Sequence, residues 1–185
     1  MRSRFGNEAW LQVYGDLKPA SREIFSRHLL PSAWYPYFAY AEVLDIVVRR
    51  FYGGKIESAR EVGANDLEAS LNSVYRMLYK AGSPAFIIRM SSLLWRAYFN
   101  TGRMVVEESG RGFARVRIEA FTPPAKAVCW DIFGSLCRGL ELSGATAIHA
   151  AHTDCPLKGD AAMRYEATWT EKGQAGAFPP SPDPK

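Results

Sequence analysis

Apolar residues recur at helical spacing through the first half of the chain. Between Trp34 and Phe51 they fall at intervals of three and four residues, which predicts a helix with one buried face that Gly53-Gly54 ends. A second periodic run begins with Asp66 as its N-terminal cap and extends to Gly82. A third follows Ser83-Pro84, where proline suits the first helical turn. Three helices are therefore predicted first.

After Gly102 the pattern changes from helical spacing to alternation. Ala114, Val116 and Ile118 face one side of a predicted strand, which pairs with residues 104–108 across Ser-Gly-Arg-Gly as a hairpin. A helix then follows Pro123-Pro124, and a second hairpin joins residues 146–153 to 161–169. The predicted class is α+β, with N-terminal helices packed on an antiparallel four-stranded sheet in the order α-α-α-β-β-α-β-β.

The two ends of the chain differ in composition from the part between them. Residues 1–31 are expected to be an N-terminal arm, irregular except for a short helix near residues 21–29. Residues 32–170 are expected to form a single ligand-binding-like domain. Residues 171–185 contain four prolines preceded by small residues and predict a disordered tail.

Composition and charge narrow the class of protein. The chain has 185 residues, 48% of them hydrophobic and 23% charged, which is ordinary for one globular domain. Its net charge of +4 comes from scattered basic residues, so we expect no nucleic-acid partner. Glu42 and Asp45 interrupt the longest apolar stretch, so no membrane span is expected. Three cysteines and no signal segment predict a cytoplasmic location.

The aromatic content is the most unusual feature of the composition. The chain has 5 Trp, 9 Tyr and 10 Phe, dense in the stretch WYPYFAY at residues 34–40. Aromatic side chains bury a large area and can orient a ligand, so they predict an apolar pocket between helices and sheet. The alternative is that they form the core and a dimer interface. The predicted pocket residues are Trp34, Phe38, Tyr75, Phe86, Trp95, Trp130 and Phe133.

The segment from Cys129 to Trp169 carries a family resemblance. It runs as a helix, Glu-x-x-Gly-Ala, a strand, a cysteine, a glycine, a strand and a tryptophan. With the pattern from residue 32 onward, it resembles the bacterial 4-vinyl-reductase-type domain, a relative of the haem-nitric-oxide-binding domains and of vesicle-tethering subunits. It is most similar to an uncharacterised paralogous family of myxobacterial proteins. The resemblance implies a homodimeric sensor or binding module with an apolar pocket.

The same resemblance implies a candidate metal site. Some members that sense aromatic compounds hold zinc with a cysteine on the last long helix, an acidic residue and two cysteines near the final turn. The matching positions here are Cys129, His152, Cys155 and Met163. A thioether is a poor zinc ligand. Two alternatives therefore stay open: a site made by Cys129, His152 and Cys155 with Asp154 or water, or a site lost to packing around Met163.

A haem site is not expected from the sequence. The haem-binding relatives use a histidine in a helix and a Tyr-x-Ser-x-Arg signature. Here His149 and His152 fall in a predicted strand, and His28 directly precedes Leu29-Leu30-Pro31. We therefore expect no cofactor and in particular no haem, with zinc at the cysteine site as the alternative.

The predicted function is a sensor rather than an enzyme. The sequence has no Gly-x-Ser-x-Gly elbow, no phosphate-binding loop and no His-Glu-x-x-His motif. We expect a non-catalytic, homodimeric module of bacterial signalling that binds an apolar or aromatic small molecule. The alternative is a dimeric scaffold or adaptor of the same fold, with a filled pocket, that acts through a protein partner. An enzyme acting on a tetrapyrrole is a third hypothesis, prompted only by the name of the domain.

Overall fold

A computed structural model describes residues 2–30, 32–71, 73–121 and 125–171. The helices of this part of the chain are α1 (Arg2–Asp16), α2 (Pro19–Ser26), α3 (Tyr37–Phe51), α4 (Ala59–Ser70), α5 (Ser73–Ala81), α6 (Pro84–Tyr98) and α7 (Lys126–Leu142). The strands are β1 (Arg103–Gly110), β2 (Phe113–Glu119), β3 (Ala145–Asp154) and β4 (Met163–Glu171). Short 3₁₀ turns cover Ile56–Ser58 and Pro156–Lys158.

The four strands form one sheet in the order β1-β2-β4-β3, and every neighbouring pair is antiparallel. Alternation along β2 and β4 sends apolar side chains to one face, where Val116 lies opposite Tyr165 and Ile118 lies opposite Met163. These four side chains are buried. The helices cover this face, so the predicted α+β class is confirmed.

Helix α7 is the central element of the core. Cys129 and Phe133 on this helix are buried in the same apolar cluster as the inner face of the sheet. On the other side, the backbones of α7 and α4 approach each other closely at two glycines. A Cβ atom on Gly63 would lie 1.9 Å from the Asp131 carbonyl oxygen, and one on Gly134 would lie 1.8 Å from the Arg60 carbonyl oxygen. Only glycine permits this approach, because any larger residue would overlap the facing backbone.

The predicted helix over 66–82 is wrong in its extent. The structure has two helices there, because α4 begins at Ala59 and the backbone leaves the helical conformation at Leu71. Asp66 lies inside α4 rather than at its start. The first turns of α4 pack through Ala59 and Gly63, which are small residues and give no apolar periodicity for a sequence pattern to register. The predicted helix at 34–51 also begins later, at Tyr37 after Pro36.

The N-terminal arm is not irregular before its expected short helix, because α1 is helical there. The short helix expected near residues 21–29 is present as α2, slightly earlier in the chain. Val13 and Leu17 are buried against Ile46 and Val47 of α3. The mixture of aromatic, polar and glycine residues in α1 lacks the clear periodicity that the prediction required.

Polar contacts also connect this helical pair to α3. The Glu42 carboxylate accepts hydrogen bonds from the Lys18 backbone N–H (2.8 Å) and from the buried Ser21 hydroxyl. Asp16 accepts two hydrogen bonds of 2.6 Å from the Arg50 guanidinium. The domain limits 1–31 and 32–170 stay predictions. The predicted tail begins at Glu171, which ends β4, and its other residues lie outside the described ranges.

Within the described ranges, none of the helices combines the length and the apolar character that crossing a membrane requires.

The glycine contact between α4 and α7 gives a stability prediction. Gly134→Ala places a Cβ inside the Arg60 carbonyl, and backbone cannot move aside as a flexible side chain can. We expect the free energy of unfolding to fall by at least about 3 kcal/mol, the upper part of the range for overpacked cores. Chemical denaturation followed by circular dichroism measures it.

Gly15→Ala is the matched control, because Gly15 lies in α1 with open space around its Cβ position. It should be neutral or slightly stabilising. Equal effects of the two substitutions would contradict the close contact of α4 with α7.

Candidate functional site

A cavity of about 390 Å³ lies among α3, α4, α6 and α7. This volume lies within the range of small-molecule pockets. Its wall is mainly apolar, with aliphatic side chains from α6 and α7 such as Ile88 and Ile132. The aromatic side chains of the wall are Trp34, Tyr35, Tyr37, Tyr40, Tyr79, Trp95, Tyr98 and Phe99.

A buried carboxyl group interrupts this apolar wall. Asp131 projects from α7 with 4% of its surface exposed, and its Oδ2 accepts a hydrogen bond of 2.6 Å from the Tyr40 hydroxyl. Its Oδ1 is buried and has no hydrogen-bond partner among the described residues. The buried Ser91 hydroxyl on α6, also in the wall, likewise has no partner. Buried polar atoms are rarely left unpaired, so these two mark the cavity as a candidate binding site.

Burial determines the acidity of Asp131. Removal from water raises the pKa of its carboxyl group from 3.8 to about 7, although the Tyr40 hydrogen bond acts in the opposite direction. The nearby carboxyl of Asp66 on α4 raises the pKa further. Asp66 also lines the cavity, and no lysine, arginine or histidine is found among the described residues of the wall. The charged groups of the described wall are therefore acidic only.

Two of the predicted pocket residues, Trp34 and Trp95, line this cavity. The Trp95 indole N–H donates a hydrogen bond of 3.1 Å to the Thr101 carbonyl, which fixes the ring against the wall. Phe38 is 50% exposed and lies outside, since one residue along α3 from Tyr37 is a rotation of about 100°.

The other four predicted pocket residues pack elsewhere. Tyr75 and Phe86 do not line the cavity; they pack against an apolar cluster that includes Tyr79 and Ile87, and these two residues do line it. Trp130 and Phe133 contact each other edge to face on the side of α7 that faces the sheet. Any ligand contact by these residues stays a prediction.

The sequence interpretation did not select Asp131, Tyr40 or Ser91. A signal was present for Asp131, which is a single acidic residue between Trp130 and Ile132 in an otherwise apolar helical run. A charge in such a run must be paired or must serve a site.

The structure brings together two of the three predicted metal ligands. The Sγ atoms of Cys129 on α7 and Cys155 after β3 are 4.0 Å apart, and both thiols are buried. Burial raises the pKa of Cys129 to about 12, with the neighbouring Cys155 acting in the same direction. The Met163 side chain beside them is buried, and its sulfur lies 3.6 Å from the Tyr165 hydroxyl.

His152, the third predicted ligand, is engaged in ring contacts. Its imidazole stacks on Tyr165 with centroids 4.7 Å apart, and it meets the edge of Trp130 at 5.7 Å. Burial lowers the pKa of His152 below its usual value, which favours the neutral ring. In the described part of the chain, no three His, Cys, Asp or Glu side chains are grouped as metal ligands. The zinc site stays a prediction.

A second depression, on the outer face of the sheet, is lined mostly by charged side chains that pair with each other. Arg164 donates to Glu107 (2.7 Å), and Arg115 donates to Glu166 (2.7 Å) and Glu108 (3.2 Å). Because these charges have partners within the protein, this surface is a weaker candidate than the cavity.

The fold is similar to that of solved H-NOX proteins. An H-NOX protein from S. oneidensis in the Fe(II)NO state superposes with a TM-score of 0.70 at 10% identity, covering 92% of this chain and 93% of that one. A point mutant of an H-NOX protein from K. algicida, in the Fe(II) unliganded state, gives 0.68 at 12%, covering 93% and 91%. A structure from a study of haem distortion in the H-NOX family gives 0.58 at 13%, covering 97% and 93%.

At these identities the similarity shows the fold alone. The resemblance to haem-nitric-oxide-binding domains is therefore confirmed as a fold, whereas the 4-vinyl-reductase and vesicle-tethering resemblances gain no support from these structures. No family model and no curated protein matches the chain.

These comparisons contradict the expectation of no cofactor. The solved structures with this fold are described as iron and haem proteins, so the fold points to haem as the cofactor to consider. A missing haem motif in the sequence therefore does not exclude the fold of a haem protein.

The wall of the cavity does not fit a haem held by histidine. His28, His149 and His152 all lie in described segments, and none of them lines the cavity. The side chains of the wall that belong to the usual types of axial haem ligand are tyrosine hydroxyls and the Met104 thioether. The binding chemistry of this wall is therefore that of its own carboxyl, hydroxyl and aromatic groups.

The raised pKa of Asp131 gives a prediction about pH. Between pH 3.8 and about 7, Asp131 keeps its proton in the native state but has lost it in the unfolded chain. The free energy of unfolding therefore falls as the pH rises through this range. Asp131→Asn removes the charge. We expect the variant to be more stable than the wild type at pH 8, by at most about 4 kcal/mol, because each pKa unit is worth about 1.4 kcal/mol.

Urea denaturation of both proteins at pH 5 and pH 8 measures the difference. The gain should shrink at pH 5, and a gain of equal size at both pH values would contradict the burial of an ionisable carboxyl group.

Proposed function

We propose that this protein is a sensory module that binds a small, mainly apolar or aromatic molecule in the cavity among α3, α4, α6 and α7. The observation that carries the proposal is the cavity itself, in which an aromatic wall surrounds the unpaired polar atoms of Asp131 and Ser91. An apolar wall supplies affinity, and a few fixed polar groups supply orientation.

The similarity of fold supports the same proposal. H-NOX structures include one described with NO bound at Fe(II), so this fold accommodates small-molecule ligands in other proteins. We also propose that the protein acts in signalling and does not catalyse a reaction. The homodimer and the protein partner stay predictions from the sequence, because the structure describes a single chain. The cytoplasmic location also stays a prediction.

Filling the cavity tests the proposal. Ser91→Leu adds apolar volume to the wall and removes an unpaired buried hydroxyl, so the protein should stay folded while its cavity shrinks. In the wild type, propylbenzene should quench tryptophan fluorescence saturably, because Trp34 and Trp95 line the cavity. We expect Ser91→Leu to weaken this binding at least about tenfold, equivalent to about 1.4 kcal/mol.

Ala97→Leu is the matched control, since it adds a similar side chain on the exposed face of the same helix. It should leave binding unchanged. Absence of saturable quenching in the wild type, or equal weakening by both variants, would contradict a binding cavity at this place.

Haem is titrated into the wild type and into Ser91→Leu, because the solved structures with this fold include haem proteins. Saturable haem binding in the wild type that Ser91→Leu abolishes would place haem in this cavity. Binding that survives in Ser91→Leu would place haem elsewhere on the protein.

A further inference from the structure

We propose that the ligand of this cavity is a protonated amine with an apolar or aromatic body, and that the Asp131 carboxylate accepts a hydrogen bond from its nitrogen. This inference rests on the proposed function and names the chemical class of its ligand.

The charge of the wall is the first observation. Asp66 and Asp131 line the cavity, and the described lining residues include no basic side chain. An anionic ligand would meet carboxyl groups without a basic side chain in the wall to offset its charge, and a charge without a partner in an apolar site is costly. A cationic ligand would bring an opposite charge to the Asp131 carboxylate within this wall.

The unpaired oxygen of Asp131 is the second observation. Tyr40 donates to Oδ2 at 2.6 Å, whereas Oδ1 is buried and receives no hydrogen bond from the described part of the protein. In its ionised form the Asp131 carboxylate can only accept hydrogen bonds, so the group that completes the site of the ionised protein is a donor. The Tyr40 contact and the α7 backbone hold the carboxyl group in place before a ligand arrives.

The remainder of the wall suits an ammonium group with an apolar body. An ammonium nitrogen of a primary amine carries three N–H donors, so one can serve Asp131 and others can serve a hydroxyl such as that of Ser91. Aromatic faces attract a cation by about 0.5 to 2 kcal/mol each, and they also bury apolar carbon. Trp34, Tyr37 and Trp95 provide such rings in the same wall.

The acidity of Asp131 agrees with this geometry. Its pKa of about 7 reflects burial without a compensating cation, and an ammonium beside it would lower that pKa. The titratable groups around it are Tyr37 and Tyr40 from α3, Asp66 from α4 and Tyr165 from β4. Burial raises the pKa of both Tyr40 and Tyr165 well above 10, so neither ionises near neutrality. Amine affinity should therefore rise between pH 6 and pH 8 as Asp131 ionises.

The experiment compares four probes that share a phenyl group and a short chain. They are 2-phenylethylammonium, 2-phenylethanol, propylbenzene and 3-phenylpropanoate, and each is titrated into the full chain by calorimetry. We expect the ammonium to bind at least about tenfold more tightly than propylbenzene, since its charge finds a partner. The carboxylate probe should bind most weakly. A primary alkylamine stays protonated from pH 6 to pH 8, so a change of its affinity in this range reports on the protein.

Two variants locate the interaction. Asp131→Asn keeps the shape of the side chain and should weaken the ammonium at least about 30-fold, as loss of one partner of a buried charge pair does. Its affinity for propylbenzene should stay within about threefold of the wild type, which also shows that the variant is folded. Asp45→Asn is the matched control, because it makes the same substitution at an exposed position of α3 outside the cavity wall. It should change ammonium binding by less than about threefold, because solvent and salt screen an exposed charge outside the cavity.

The outcomes separate this inference from the proposed function. If none of the four probes binds, the binding cavity itself is contradicted. If propylbenzene and 2-phenylethylammonium bind equally well, the cavity stands and the amine proposal is overturned. Equal losses from Asp131→Asn and Asp45→Asn would overturn the assignment of Asp131 as the group that accepts the hydrogen bond.

Discussion

The contact between α4 and α7 is the constraint on which the rest of the site depends. Gly63 and Gly134 let the two backbones touch, so α7 can neither rotate nor shift outward without opening a gap on its other side. Because Gly63 rests directly on the Asp131 carbonyl, the same contact determines where the Asp131 side chain points. The site is therefore positioned by helix packing rather than by a loop.

Helix α7 separates two environments of different character. On one side, Phe133 stacks on Tyr165 at 5.8 Å, and the Tyr165 hydroxyl donates to the Cys129 carbonyl, so this side is closed by ring packing and a buried hydrogen bond. On the other side, Asp131 and Ile132 face a cavity in which polar atoms remain unpaired. The close-packed core and the proposed binding cavity thus lie on opposite faces of one helix.

The sequence predicted the fold far better than the site. Alternation along residues 114–120 and 161–169 identified the strands, because period two is visible whenever one face is buried. The α4 region was harder to predict, since Ala59 and Gly63 pack through small size rather than apolar bulk. Trp34 and Trp95 were identified from aromatic content, whereas Tyr40 and Asp131 are 91 positions apart in sequence and only tertiary packing joins them.

Helix α3 contributes both to the cavity wall and to the packing of the N-terminal helices. Tyr37 and Tyr40 on one side border the cavity, and Ile46 and Val47 farther along hold the N-terminal helices α1 and α2. If α3 behaves as a rigid helix, a tilt that relieves crowding at its cavity end would also shift its other end. The N-terminal helices pack on α3 about two helical turns away from the cavity, so a tilt of α3 would displace them.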